Sequence, residues 1–370
     1  MRLPINLITC LGVLIPPAAI AAKPELPQRE HRDPGLLLAD GAYDQAEAAA
    51  RDRLTTLRNS LGESSLQVAK AADLLAKVLI VNGRATSDES LTIAESSVRI
   101  KEAQLGRDHP DLASSLFNLG DVLAARAEFE RAIDVSERAV AIRQKHARPD
   151  SLEMAEALDH LGFVLLSARR NDGALRALEA SLRLKEKWLE PTDVTIARTL
   201  EDVGLVLQRM GEYEKSGPLV RRAAAIQRAS RVDHPDYVRT LNLLAQQLWF
   251  EGQLIDSRET SELAVQVAER TLRTDHPLLA LSLRYLAATL EDLGDLERSI
   301  GVKKRALAIA ERNFGPNHQE TATYLHALGS AELREGAYTA ARQRFRDALT
   351  IYETHYGAWH EYVAAVLSML

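Results

Sequence analysis

The chain has 370 residues, 46% of them apolar, 26% charged and only 5% aromatic, with 46 basic against 52 acidic side chains. That is the composition of a folded, mostly helical protein with little sheet-forming content, and the formal charge of −6 argues against nucleic acid as a partner. The single cysteine, Cys10, excludes a disulfide framework and a thiolate metal site.

Residues 1–22 carry one early positive charge at Arg2, a mostly apolar run from Leu3 to Ile20, and the small residues Ala21 and Ala22. This is the layout of a secretory signal peptide cleaved near Ala21 or Ala22. Pro4, Asn6, Pro16 and Pro17 interrupt a run already short for crossing about 30 Å of hydrocarbon. Without the leader the chain holds 45 basic and 52 acidic residues, a formal charge of −7 with no cysteine. The expected location is therefore periplasmic or secreted, with no membrane span after cleavage. Residues 23–34, KPELPQREHRDP, have almost nothing to bury and read as a disordered lead.

From residue 35 the chain is expected to be helix throughout. Residues 35–64 form a partial unit: a helical stub, a turn at Asp40-Gly41, and a helix from about Tyr43 to Ser60. Over Ser65 to Val81 the apolar residues Val68, Ala69, Ala72, Leu75, Ala76 and Leu79 recur every three or four positions, one face of a helix. After Asn82-Gly83 a second helix is expected from about Ser87 to Leu105. The plan of helix, tight turn, helix and connector then returns. Its marker is HPDLASSLFNLG from His109, and copies start at 151, 193, 234, 276, 318 and 360, spaced by 42, 42, 41, 42, 42 and 42 residues. Seven full units span 65–359, and 360–370 is a truncated repeat or a capping helix.

Small residues sit where two helices must approach closely: Gly120, Gly162, Gly204, Ala245, Ala287 and Gly329 in first helices, and Ala132, Ala174, Ser216, Ser257, Ser299 and Ala341 in second helices. The turns carry Gly211, Gly252, Gly294 and Gly336, as a left-handed residue after a helix end requires. Ala127 and Arg169 depart from that rule. One pair of helices buries too little apolar surface to be stable alone, so neighbours must stack. The expected fold is all-α, a right-handed α-solenoid whose concave groove is lined mainly by first helices.

These spacings of leucine and small residues resemble the tetratricopeptide repeat (TPR), and the 42-residue period with HPD and L-x-N-L-G/A resembles its kinesin-light-chain subtype, as found in bacterial proteins. The resemblance spans residues 35–370. It implies a protein or peptide partner in the groove. The inward positions of first helices would include Ser114, Phe117 and Asp121, Glu156, Asp159 and Phe163, then Glu201 and Gln208, with Glu291, Thr323, His326 and Arg334 further along. The residues singled out for partner binding are Arg198, Arg239, Asn242, Gln246, Trp249 and Arg284, with Phe250 beside them. Arginine and asparagine can hold carboxylates and backbone by paired hydrogen bonds, and an aromatic side chain offers a large anchor. The alternative is that the arginines pair with Glu201 or Glu291 and that Trp249 packs between repeats. Removing Arg239 and Asn242 together is expected to leave helical melting nearly unchanged. The lysine and asparagine set by which some TPR proteins clamp a terminal carboxylate is not reproduced.

The recurring His109, His234, His276, His318 and His360 lie one repeat apart, about 10 Å, too far to share a metal ion held at about 2 Å. They read as connector and capping residues, as do His355 and His360 with Glu361. Glu201 and Asp202 read as ordinary helix surface. With no phosphate loop, H-E-x-x-H or G-x-S-x-G motif, no catalytic residue, cofactor or metal is expected. The leading expectation is a non-enzymatic interaction scaffold. The alternative is the sensor or targeting region of a larger enzyme such as a caspase-like CHAT protease, with catalysis outside this chain. Self-association through the last repeat face is a third expectation.

Overall fold

The computed structural model describes residues 33–230 and 232–370. The expected leader, and the expected disordered lead apart from Asp33 and Pro34, lie outside the described residues. Asp33 and Pro34 are ordered: Asp33 caps the first helix and Pro34 is its first residue.

Seventeen helices and no strand occur among the described residues. The partial unit is α1 (Pro34–Ala39) with α2 (Tyr43–Leu61). The full units are α3 (Leu66–Val81) with α4 (Asp88–Leu105), α5 (Pro110–Ala125) with α6 (Phe129–His146), and α7 (Leu152–Ser167) with α8 (Asn171–Trp188). They continue with α9 (Val194–Arg209) and α10 (Tyr213–Ser230), α11 (Pro235–Phe250) and α12 (Leu254–Thr271), then α13 (Pro277–Asp292) and α14 (Leu296–Phe314). α15 (Gln319–Glu335) pairs with α16 (Tyr338–Tyr356), and the short α17 (Glu361–Leu367) packs on α16. Each helix packs on the one before it and the one after it, which makes the unit an α-solenoid.

The repeat marker works as a helix start. Ser65, His109, Ser151, Asp193, His234, His276, His318 and His360 each accept a hydrogen bond from a backbone N–H two or three residues on. This satisfies one of the donors that a helix start leaves orphaned. The degenerate copies thus keep the capping function with a different side chain. Close approach explains the small residues: a Cβ on Gly162 would lie 2.5 Å from Leu178 Cγ, a distance no side chain tolerates. The turns close through left-handed residues, and Ala127 (φ 62°) and Arg169 (φ 57°) adopt that conformation although neither is glycine.

The solenoid curls until it meets itself. His234 Nε2 lies 3.2 Å from the carbonyl oxygen of Ala39, and His276 Nε2 lies 3.2 Å from that of Val81. Further along, Arg169 Nη2 donates to Tyr362 Oη at 2.9 Å. The partners are 195, 195 and 193 residues apart, so the end of α1 meets the start of α11, α3 meets α13, and α7 meets α17. The period of the curl is five helix pairs. No described helix is long and apolar enough to cross a membrane.

Candidate functional site

First helices form the inner layer because they crowd: α3 touches α5, α5 touches α7, and so on to α13, while no second helix packs comparably on the next second helix. A row of rods that touch along one face and diverge along the other must curve, with the touching face inside.

On that inner layer Arg239 reaches back one repeat. Its Nε donates to Glu201 at 2.8 Å and its Nη2 to Asp202 at 3.0 Å, while Thr240 donates its hydroxyl to Glu201. Glu201 and Asp202 are buried, at 3% and 7% exposure. They were expected on ordinary helix surface, and this is a correction: the inward bend brings consecutive carboxylates onto one guanidinium. Burial opposes the charge on Arg239, but Asp202 and Glu201 outweigh it and its pKa is raised. Burial pushes the Glu201 carboxyl up despite Arg239 and Thr240. The Arg239 side chain still keeps 33% of its surface open to water, the environment of a concave wall.

The other singled-out residues divide. Asn242 is buried, and both its amide nitrogen and its amide oxygen lack a hydrogen-bond partner. In earlier repeats its position holds Asp73 or Asp159, each served by a lysine 28 or 26 residues on; the counterpart after Asn242 is Ala268. Gln246 accepts from Tyr285 Oη at 3.3 Å, and the Arg284 guanidinium lies 5.5 Å from the Tyr285 ring centre. Burial disfavours the Arg284 charge, yet neighbouring Tyr285, Tyr324 and Glu320 leave its pKa raised. Trp249 is 37% exposed, donates Nε1–H to Asp292 at 2.5 Å and meets the Phe250 ring edge-on. Arg198 is exposed, and among the described residues it has no ion pair and no interaction joins it to the other five. Gln246 and Arg284 thus meet through Tyr285, a residue with no signature in the sequence, because an isolated tyrosine in a helix carries none. Of the two proposed acidic partners, Glu201 does take Arg239, whereas Glu291 pairs with Lys303 and Arg334 rather than Arg284.

Buried ion pairs stitch repeats together at the same level. Lys101 Nζ lies 2.5 Å from Asp73 and 2.8 Å from the Asp111 carbonyl, and Ser115 adds a bond to Asp73 at 2.9 Å. Lys185 bonds Asp159, the Thr195 carbonyl and Thr199 in the same way. Such pairs contribute modest net stability but penalise any other register. The lone signal was the recurrence of Asp73 at Asp159 and of Lys101 at Lys185.

The histidines serve helix starts. His355 Nε2 sits 2.8 Å from the Asn317 carbonyl, and His360 stacks on Tyr356 with ring centres 4.3 Å apart. Among the described residues no cluster of three His, Cys, Asp or Glu is placed to hold a metal ion. Trp359, Leu367, Met369 and Leu370 expose apolar surface around α17.

A family profile described as "Tetratricopeptide repeat" matches residues 84–145, 153–229, 236–302 and 284–354. Among curated protein sequences nothing matches. Solved structures of similar fold include Rap protein complexed with Competence and Sporulation Factor, at 14% identity and TM-score 0.60, covering 87% of this chain and 96% of that one. Aspartyl phosphate phosphatase F from Bacillus subtilis is similar at 13% identity and TM-score 0.57, over 90% of this chain and 87% of that one. Kinesin-light-chain TPR-like repeats from Podosopora anserina share 21% identity over 55% of this chain and 97% of theirs, at TM-score 0.45.

Proposed function

The chain belongs to the tetratricopeptide repeat family, and from that premise we propose that it is a non-catalytic scaffold that holds a peptide or helix of a partner protein against the inner wall of first helices. The observation that carries this reading is the wall itself. Arg239 and Arg284 are crowded there without being closed off from water, Arg198 is exposed on it with no ion pair among the described residues, and Trp249 offers a part-exposed ring. A preformed surface of this kind needs little ordering to bind, and Arg198 and Arg284, which have no carboxylate ion pair among the described residues, favour an acidic segment, whereas Arg239 is already matched by Glu201 and Asp202. The same fold in Rap protein is complexed with Competence and Sporulation Factor, a precedent for the architecture.

Export of the chain belongs to the same proposal, supported by the arrangement of Arg2, the apolar run and Ala21-Ala22. So does self-association, supported by the exposed Trp359, Leu367 and Met369; light scattering of Trp359→Ser against the parent chain tests it, and identical monomeric mass in both overturns it. The wall is tested by capture from a native envelope fraction with the parent chain and with Arg198→Glu plus Arg284→Gln, after circular dichroism shows matching melts. Loss of the captured partner in the variant is the expected result. An unchanged captured set removes the wall from consideration.

A further inference from the structure

Two arginines outside the proposed wall set meet where the solenoid returns on itself. Arg209, the last residue of α9, donates Nη1 to the carbonyl oxygen of Leu166 at 2.5 Å. The backbone N–H of Arg169 reaches that same oxygen at 3.1 Å, so the Arg209 guanidinium lies against the Arg169 backbone. Arg169 in turn extends Nη2 to Tyr362 Oη, 2.9 Å away on α17. Both arginines are exposed, and among the described residues neither has a carboxylate partner.

Arg334 stands 125 residues after Arg209 at the same place in a later repeat, and it supplies an internal control. It too donates to a carbonyl of the preceding first helix, Glu291 O at 3.2 Å, but it also has the Glu291 carboxylate at 3.5 Å. The residue aligned with Glu291 in α7 is the apolar Leu166. Capping a helix end is therefore common to both positions, while the missing negative charge is particular to Arg209. Although Arg209 as a residue is exposed, partial desolvation of its guanidinium first, and the neighbouring Arg169 second, lower its pKa against an opposing contribution from Tyr285. Arg169 is moreover held in the left-handed conformation (φ 57°) where five other full repeats place glycine, at Gly83, Gly211, Gly252, Gly294 and Gly336, so a long basic side chain occupies a position whose backbone favours none.

We infer that Arg169 and Arg209 form a binding site for an oxyanion, a carboxylate or a phosphate, at the junction of α7, α9 and α17. The bound anion supplies the charge that Glu291 supplies to Arg334, and through the Arg169–Tyr362 bond it ties α17 to the middle of the solenoid. This site uses none of Arg198, Arg239, Asn242, Gln246, Trp249 or Arg284, so it stands or falls separately from the peptide wall.

The test is calorimetric titration with sodium phosphate and with sodium succinate, at constant ionic strength held by chloride, with hydrogen exchange of residues 361–367 read in parallel. Variants are Arg169→Gly, which suits the left-handed backbone and therefore folds, and Arg209→Gln, which can still cap Leu166. The expected result is saturable binding of one probe, weakened at least about tenfold in each variant, or about 1.4 kcal/mol, with slower exchange in α17 only for the parent chain. Which probe binds distinguishes phosphate from carboxylate. Absence of saturable binding by either probe, or equal affinity in the parent and both variants, overturns the site and leaves Arg209 as a helix cap.

Discussion

His276 makes the contact between successive turns of the solenoid sensitive to pH. Its Nδ1 accepts the Leu278 N–H at 3.1 Å, and its Nε2 faces the Val81 carbonyl at 3.2 Å, so the neutral tautomer with its proton on Nε2 satisfies both ends. A second proton on Nδ1 would face a donor and lose the cap. Burial foremost, with help from Arg273, lowers the pKa from 6.5 to about 4 against the Val81 carbonyl, Asp275 and Asp44. The unfolded chain then takes a proton below about pH 6.5, and the folded chain only near pH 4. The stabilisation is thus complete above about pH 6.5 and is lost as pH falls toward 4, a total of about 3 kcal/mol. His276→Asn keeps a capping oxygen but cannot titrate and cannot reach Val81, which costs about 1 kcal/mol at neutral pH. Urea unfolding of both chains should therefore cross: the parent is more stable by about 1 kcal/mol near pH 7, the variant by about 2 kcal/mol near pH 4. His318 and His326, which burial also lowers, are common to both chains and cancel in the difference. Parallel pH profiles would refute the reasoning.

Gly162→Ala should destabilise, because its Cβ meets Leu178 Cγ at 2.5 Å; the overpacking cost of about 1–3 kcal/mol exceeds the ~1 kcal/mol gain in helix propensity. A urea midpoint at or above that of the parent contradicts this. Ala127→Gly should stabilise by about 1 kcal/mol, since the exposed Ala127 is held at φ 62°, and a lower thermal midpoint would count against the strain. Arg239→Ala should cost about 3 kcal/mol by stranding the buried Glu201 and Asp202 carboxylates, with partial rescue by Glu201→Gln. That reverses the expectation that Arg239 and Asn242 can be removed with little effect on melting; additive losses on adding Glu201→Gln would refute the new account.

The phase of the repeat, the helix boundaries, the capping role of the histidines and the glycine turns could all be read along the chain. Each depends on neighbours within a few residues: a cap needs an N–H two positions on, and a left-handed turn needs only its own φ. The inner wall was legible only as positions. The resemblance to tetratricopeptide repeats, together with helix spacing, placed Arg239 and Asn242 on an inward face, but neither could say that Arg239 would be neutralised by two carboxylates one repeat back, or that Asn242 would be buried with its amide unsatisfied.

What the amino-acid order determined by itself was the repeating hairpin and the side that must be covered, because periodicity 3.6 and the 42-residue spacing are local facts. How tightly the stack curls was decided by the tertiary structure. The curl is the sum of small angles at successive interfaces, and it alone carries His234 to Ala39, His276 to Val81 and Arg169 to Tyr362 across 195, 195 and 193 residues. No pattern within one repeat encodes a contact that depends on the accumulated rotation of five.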